Sequence, residues 1–176
     1  VMPGAYSGNV RFNGKNLALQ STDPSDWSVV AATVIDGYQW PGPAVKFEGT
    51  EGSTCSLSGF TVREGHWHWE GTFLAVGAGV YGAGAQGVIE RNIIADNGAY
   101  SPVVTITYSG GAIYNFDGVI RHNIIRSNIG GGVVAGCDGL IEGNIIYDNE
   151  GSGISGCDGP IRNNVLYDNI YYGIRS

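Results

Sequence analysis

Apolar and polar residues recur in one fixed order over the last third of the chain, where a short phrase is written four times. GVIERNIIADN starts at Gly87, GVIRHNIIRSN at Gly118, GLIEGNIIYDN at Gly139 and GPIRNNVLYDN at Gly159. The last three copies are spaced by 21 and 20 residues, and the first gap of 31 is one such period plus about ten inserted residues. Ile89, Ile120, Ile141 and Ile161 align, as do Ile94, Ile125, Ile146 and Leu166, so two apolar positions return in every period. Between the phrases, Val80, Ile113, Val134, Ile154 and Ile174 mark another recurring strand. A period this short has room for one solenoid coil, and apolar positions that return once per coil build a core in one dimension.

Two asparagine columns accompany the apolar ones: Asn92, Asn123, Asn144 and Asn164, then Asn97, Asn128, Asn149 and Asn169. They fall where the strands must bend. Asn tolerates left-handed turn geometry, and its amide can bond the amide of the next coil in a ladder. A glycine column, Gly87, Gly118, Gly139 and Gly159, opens each phrase. About three short strands per coil, each bounded by Gly or Asn, predict an all-β fold, a parallel β-helix of about seven coils.

The first 65 residues read as earlier coils of the same stack. Alternation in Asn9-Val10-Arg11-Phe12 and in Leu17-Ala18-Leu19-Gln20 predicts half-buried strands, with Asn13-Gly14 as the turn between them. Residues 22–28 read as a polar loop before the strand Thr33-Val34-Ile35, and 38–43 as a second loop. Two stretches interrupt the repeat near 65–76 and 98–110. Insertions in a solenoid leave through its turns, usually on one side, and binding residues concentrate on such loops. The whole of 1–176 is therefore read as a single domain carrying two loop insertions.

The phrase G-x-I-x-x-N-x-I-x-x-N, together with the opening order VMPGAYSGNVRFNGKNLALQS, VVAATVIDG and CSLSGFTVREG, resembles the right-handed parallel β-helix proteins of the pectate-lyase-like superfamily. The closer resemblance is to large secreted bacterial proteins with such repeats. It covers nearly the whole chain, and it implies a right-handed helix and an extracellular or cell-surface setting. That superfamily holds lyases, hydrolases, epimerases, adhesins and proteins without known chemistry, so the fold alone selects no activity. In these proteins a capping helix and a first strand normally precede the V-x-P-G-x-Y phrase. Val1 is therefore expected inside the first strand, without its cap.

Four groups of residues carry candidate chemistry. Glu90, Arg121, Glu142 and Arg162 alternate in sign down one column, which would fix register, since a slipped coil sets like charges together. Asp117, Asp138 and Asp158 form an acidic column, read either as solvated Asp-Gly turns or as oxygen ligands for calcium. Cys137 and Cys157 occupy equivalent places in successive coils, read either as a disulfide or as a stacked pair of thiols. The aromatic residues Trp67 and Trp69, with Trp40, Tyr38, Tyr100 and Tyr108, lie on loops or insertions. They suit stacking on a sugar face or packing in an interface.

Composition narrows these readings. Among 176 residues, 43% are hydrophobic, enough for one real core, and the 30 glycines lack the three-residue period of collagen. A net charge of −7 argues against nucleic acid as a partner. No apolar run approaches a membrane span. The chain lacks an Asp-Pro-His-Asp phrase of the alginate epimerase type, the clustered Asp set of polygalacturonases and a Gly-x-Ser-x-Gly elbow. A structural protein is therefore favoured over an enzyme, which in this class would be a polysaccharide lyase or glycoside hydrolase. No catalytic residue is assigned. Ile174 falls in register with Ile154, so a further coil begins there. Open coil faces at both ends predict association of the protein with itself, head to tail, as in an extracellular filament. A polysaccharide-binding module is the alternative.

Overall fold

The computed structural model describes residues 1–39, 42–66, 78–98 and 109–175. Their strands form three parallel sheets that the chain visits in rotation. The first sheet stacks Gly4–Ser7, Thr33–Asp36, Thr61–Arg63, Ile93–Ala95, Ile124–Arg126, Ile145–Tyr147 and Val165–Tyr167. The second stacks Val10–Arg11, Val45–Lys46, Val80–Ala85, Ser109–Phe116, Ile129–Ala135, Glu150–Ser155 and Ile174–Arg175. The third stacks Ala18–Gln20, Ser56–Ser58, Val88–Glu90, Val119–Arg121, Ile141–Glu142 and Ile161–Arg162. Each visit to the first sheet opens a coil, so seven coils are numbered here in chain order.

Strands of two to eight residues alternate their side chains between inside and outside, and one inward residue per strand suffices to line the interior. Ile35, Val62, Ile94, Ile125, Ile146 and Leu166 are in register on the first sheet. Val10, Val45, Val80, Ile113, Val134, Ile154 and Ile174 are in register on the second. Leu19, Leu57, Ile89, Ile120, Ile141 and Ile161 complete the third. From the second coil to the sixth nearly all of these side chains are fully buried, each worth about 1.5–3 kcal/mol relative to exposure. Phe12, Phe47 and Phe116 add an aromatic column, with ring centroids 4.3 Å apart in the first pair and 5.2 Å in the second.

Both asparagine ladders run through the turns. Asn92 and Asn97 each donate from backbone and side chain to the Oδ1 of Asn123 and Asn128, at 3.0–3.1 Å. Asn144, Asn164, Asn149 and Asn169 carry the pattern onward. The left-handed backbone belongs to their predecessors. Arg91, His122 and Asn163 precede the first column with φ of 54–57°, and Asp96, Ser127, Asp148 and Asp168 precede the second with φ of 51–56°. The ladder asparagines are thus placed by their amides, as the ladder expectation had it, while the left-handed turn geometry falls on the residue before each.

The glycine that opens each phrase answers to stacking. A Cβ at Gly139 would run into the carbonyl oxygens of Gly118 and Asp117, and one at Gly118 or Gly159 would meet the coil before it in the same way.

Two N-terminal expectations are corrected. The polar loop read over 22–28 passes into a helix, Trp27–Ala32, whose N-cap Asp26 accepts from Ser28 N–H at 2.8 Å. Val30 buries against the stack, and its carbonyl accepts from Thr61 Oγ1 at 3.0 Å. Val1 also lies outside the first strand, which begins at Gly4. Its nitrogen donates to Gln20 O at 2.7 Å and its carbonyl accepts from Thr22 N–H at 2.8 Å, so its backbone groups are engaged by the end of the first coil and not by the first sheet.

Candidate functional site

The corner between the first and second sheets is where the coils differ most. In the fifth and sixth coils two residues cross it, 127–128 and 148–149, whereas the second, third and fourth coils use 37–44, 64–79 and 96–108. The longer connections thus leave three consecutive coils from one edge of the stack. Both sequence insertions sit there. Of the predicted aromatics, Tyr38 is described at this corner, while Trp40, Trp67, Trp69, Tyr100 and Tyr108 lie outside the described residues.

Local chemistry holds the described part of this corner. Asp36 Oδ1 accepts from Tyr38 N–H at 3.0 Å, and Asp36 Oδ2 takes the Arg63 guanidinium at 2.9 Å. Tyr38 is 69% exposed, and its ring meets His66 edge-on with centroids 5.9 Å apart. Gly42 N–H donates to His66 O at 2.7 Å, which ties the second coil's connection to the third. The His66 ring contacts Glu64 O, and its Nε2 lies 3.7 Å from the Glu64 carboxylate.

Further along the same corner a cleft of about 370 Å³ crosses the fifth, sixth and seventh coils. Ser127, Asp148 and Asp168 line it from the left-handed turn positions, Ile129 and Glu150 from the start of the second sheet, Ile170 from the connection that leads to it, and Asn128 and Asn149 from the ladder. Asp148, Glu150 and Asp168 are exposed. Beside them on the first sheet, Tyr147 and Tyr167 stack with centroids 4.9 Å apart and planes 5° from parallel. The corner therefore presents hydroxyl and carboxylate acceptors next to aromatic and aliphatic surface. It can hydrogen-bond a polyhydroxylated chain, and its carboxylates repel a polyanion.

The remaining predicted residues lie away from this corner. Arg121 pairs in register with Glu90 and with Glu142, and Glu142 with Arg162. The ion contacts form in twos, Arg121 Nε to Glu90 Oε2 at 2.7 Å and Arg162 Nε to Glu142 Oε1 at 3.1 Å. Asp138 N–H donates to Asp117 Oδ1 at 3.2 Å and Asp158 N–H to Asp138 Oδ1 at 3.3 Å. Asp117 and Asp138 thus each lend one carboxylate oxygen to the next coil's backbone, and among the described residues no three His, Cys, Asp or Glu side chains gather as a metal site. Cys55, Cys137 and Cys157 are unpaired thiols in this structure.

One buried acid had no signal in the repeat. Glu51 is 1% exposed, and its carboxylate accepts from the backbone N–H of Gly14, Glu48 and Gly49 at 2.9–3.1 Å. Burial pushes this carboxyl up, but the backbone N–H groups of Glu48, Glu51, Gly14 and Gly49 together outweigh it and hold it below its ordinary value. It ties the Asn13-Gly14 turn of the first coil to the second.

A family model described as a right handed beta helix region matches residues 44–176. The chain belongs to that right-handed β-helix family. The coils before the match join the same three sheets, since Gly4–Ser7 pairs with Thr33–Asp36 and Val10–Arg11 with Val45–Lys46. No curated protein and no solved structure matches the chain. No helix among the described residues is long and apolar enough to cross a membrane.

Proposed function

We propose that the protein is an extracellular polysaccharide-binding β-helix that holds a neutral or amine-bearing glycan along the corner between its first and second sheets. The observation that carries this reading is the convergence of the 37–44, 64–79 and 96–108 connections on one corner, in line with the cleft at Asp148 and Asp168. A rigid stack with variable connections on one edge is the arrangement in which loops serve binding. Trp40, Trp67, Trp69, Tyr100 and Tyr108 all belong to those connections in sequence and are suited to stack on sugar faces. Exposed acids at the cleft and a net charge of −7 disfavour a polyuronate.

A glycan array with neutral, amino and uronic acid polysaccharides tests the reading, run beside assays for unsaturated uronide and reducing-end release. Binding to a neutral or amino glycan, reduced at least tenfold by Trp67→Ala with Trp69→Ala, supports it. Retention of full affinity in that double variant removes the aromatic platform. Turnover of a bound glycan would make the corner an active site.

A second reading is end-to-end association of copies into a filament. Ile170, Tyr171 and Ile174 are 62%, 65% and 54% exposed, on a coil whose strand Ile174–Arg175 is an edge of the second sheet. A further β-helical coil, whether of the same chain or of another copy, would cover them and pair that edge. Negative-stain microscopy of the native protein should then show fibres. A stable monomer by light scattering at high concentration would exclude them.

A further inference from the structure

Cys137 and Cys157 stand at equivalent places in the fifth and sixth coils, each within Gly-Cys-Asp-Gly. The register that pairs Ala135 with Ser155 continues through Gly136 N–H, which donates to Ser155 O at 3.1 Å. Cys137 N–H then donates to Cys157 Sγ at 3.3 Å, and Phe116 N–H, one coil earlier, to Cys137 Sγ at 3.5 Å. Sulfur here takes the part that the amide oxygen takes in the asparagine ladders. The stacking sets the two thiols on successive coils in matching surroundings, Cys137 Sγ donating to Ala135 O at 3.3 Å and Cys157 Sγ to Ser155 O at 3.4 Å. Coils roughly 4.8 Å apart bring equivalent Cα atoms within the range of about 4.4–6.8 Å that a disulfide spans. Cys55 offers an internal contrast, since it is buried on the second coil with Lys15 O 3.9 Å from its sulfur.

We propose that Cys137 and Cys157 form a reversible thiol–disulfide couple in which Cys157 attacks and Cys137 resolves, so that oxidation staples the fifth coil to the sixth. The two thiols are unequal in the required sense, because Cys137 is fully buried and Cys157 only half-buried. The hydrogen bond from Cys137 draws the Cys157 thiol below its usual value against the opposing effect of burial, whereas burial pushes Cys137 well up. The thiolate is the attacking species. Cys157 Sγ attacks one sulfur of a small-molecule disulfide such as oxidised glutathione, forming a mixed disulfide and releasing one thiolate. Cys137 then loses its proton to solvent, attacks Cys157 Sγ and expels the second thiolate. Two protein thiols and one small disulfide become one protein disulfide and two small thiols, so atoms and electrons balance.

The test equilibrates the purified protein with oxidised and reduced glutathione, quenches by alkylation and maps the peptides by mass. The expected product is a single intramolecular link between Cys137 and Cys157, two hydrogens lighter, with Cys55 alkylated and the link removed by excess reduced glutathione. Cys137→Ser should trap a glutathione adduct on Cys157, while Cys157→Ser should leave Cys137 unmodified. Alkylation of all three thiols at every ratio, or a link involving Cys55 or a second chain, overturns the couple. An adduct on Cys137 in Cys157→Ser, with none on Cys157 in Cys137→Ser, overturns the assignment of roles. The wild-type map decides the couple even if a variant fails to fold.

Discussion

Asn123→Ala separates the two devices that could hold the third coil on the fourth. The side chain of Asn123 accepts from Asn92 N–H at 3.0 Å and from Asn92 Nδ2 at 3.1 Å. It donates to Ile89 O at 2.9 Å and to Asn144 Oδ1 at 3.0 Å. Truncation leaves the Asn92 backbone N–H and one Asn92 side-chain N–H facing apolar surroundings, since Asn92 is fully buried. Each orphaned buried donor costs about 1–3 kcal/mol, so the loss should be about 4 kcal/mol. The control is Arg121→Ala, which removes an ion pair from the same coil interface. The Arg121 side chain is 43% exposed and its pair with Glu90 is screened by solvent, so that loss should stay below about 1 kcal/mol. Urea titration monitored by far-UV circular dichroism gives both values, and hydrogen exchange at the Asn92 amide shows whether the opening is local to this interface. A solenoid is held by nearest-neighbour terms, so a defect at one interface can unzip the stack there. If Arg121→Ala costs as much as Asn123→Ala, or if Asn123→Ala costs under about 1 kcal/mol, the hydrogen-bond argument fails.

Other substitutions test separate parts of the account. Gly139→Ala should destabilise by about 2–4 kcal/mol, because the new methyl meets the Gly118 and Asp117 carbonyls at a position that cannot relax without separating two coils. Gly156→Ala, with φ of 57° and open space around it, should cost only about 1–2 kcal/mol of left-handed strain; thermal melts compare the two. Glu51 has its carboxyl held low in the fold, so its stabilisation is fully present above its ordinary value of 4.5 and is lost as pH falls through the folded value. Denaturation of wild type and Glu51→Gln across pH 3–7 should therefore show a gap at pH 7 that narrows on acidification; a constant gap would contradict the assignment. Asp148→Asn with Asp168→Asn should leave neutral-glycan affinity within about threefold while raising affinity for a polyuronate, read by isothermal calorimetry against both, because only the like-charge repulsion is removed.

The repeat was legible because a solenoid writes its core in register. Ile120 lies on Ile89 and Ile141 for the same reason that the three phrases align, and Ile154 pairs with Ile174 as the spacing required. Periodicity alone misassigned what only backbone geometry separates. His122 and Asn123 are neighbours in one turn, yet the first carries the positive φ and the second the hydrogen bonds. The helix Trp27–Ala32 was hidden because Val29-Val30-Ala31-Ala32 runs directly into the β-branched strand Thr33–Asp36, with no Gly or Pro between them. Glu51 was invisible for a different reason. It occurs once, and its partners are backbone groups of Gly14, Glu48 and Gly49, which leave no trace in residue type. The corner was readable as two insertions, but the cleft beside Asp148 and Asp168 needed the coils to be stacked before two turn positions 20 residues apart became one surface.

In the proposed function, the corner between the first and second sheets is the glycan-binding face. Hydrogen–deuterium exchange of the native protein, with and without the neutral or amino polysaccharide that the array selects, tests it directly. Protection confined to 37–44, 64–79, 96–108, 127–129, 148–150 and 168–170 is the expected result. Protection on the third sheet at Val119–Arg121 and Ile141–Glu142, or no change on saturation with any such glycan, would contradict it.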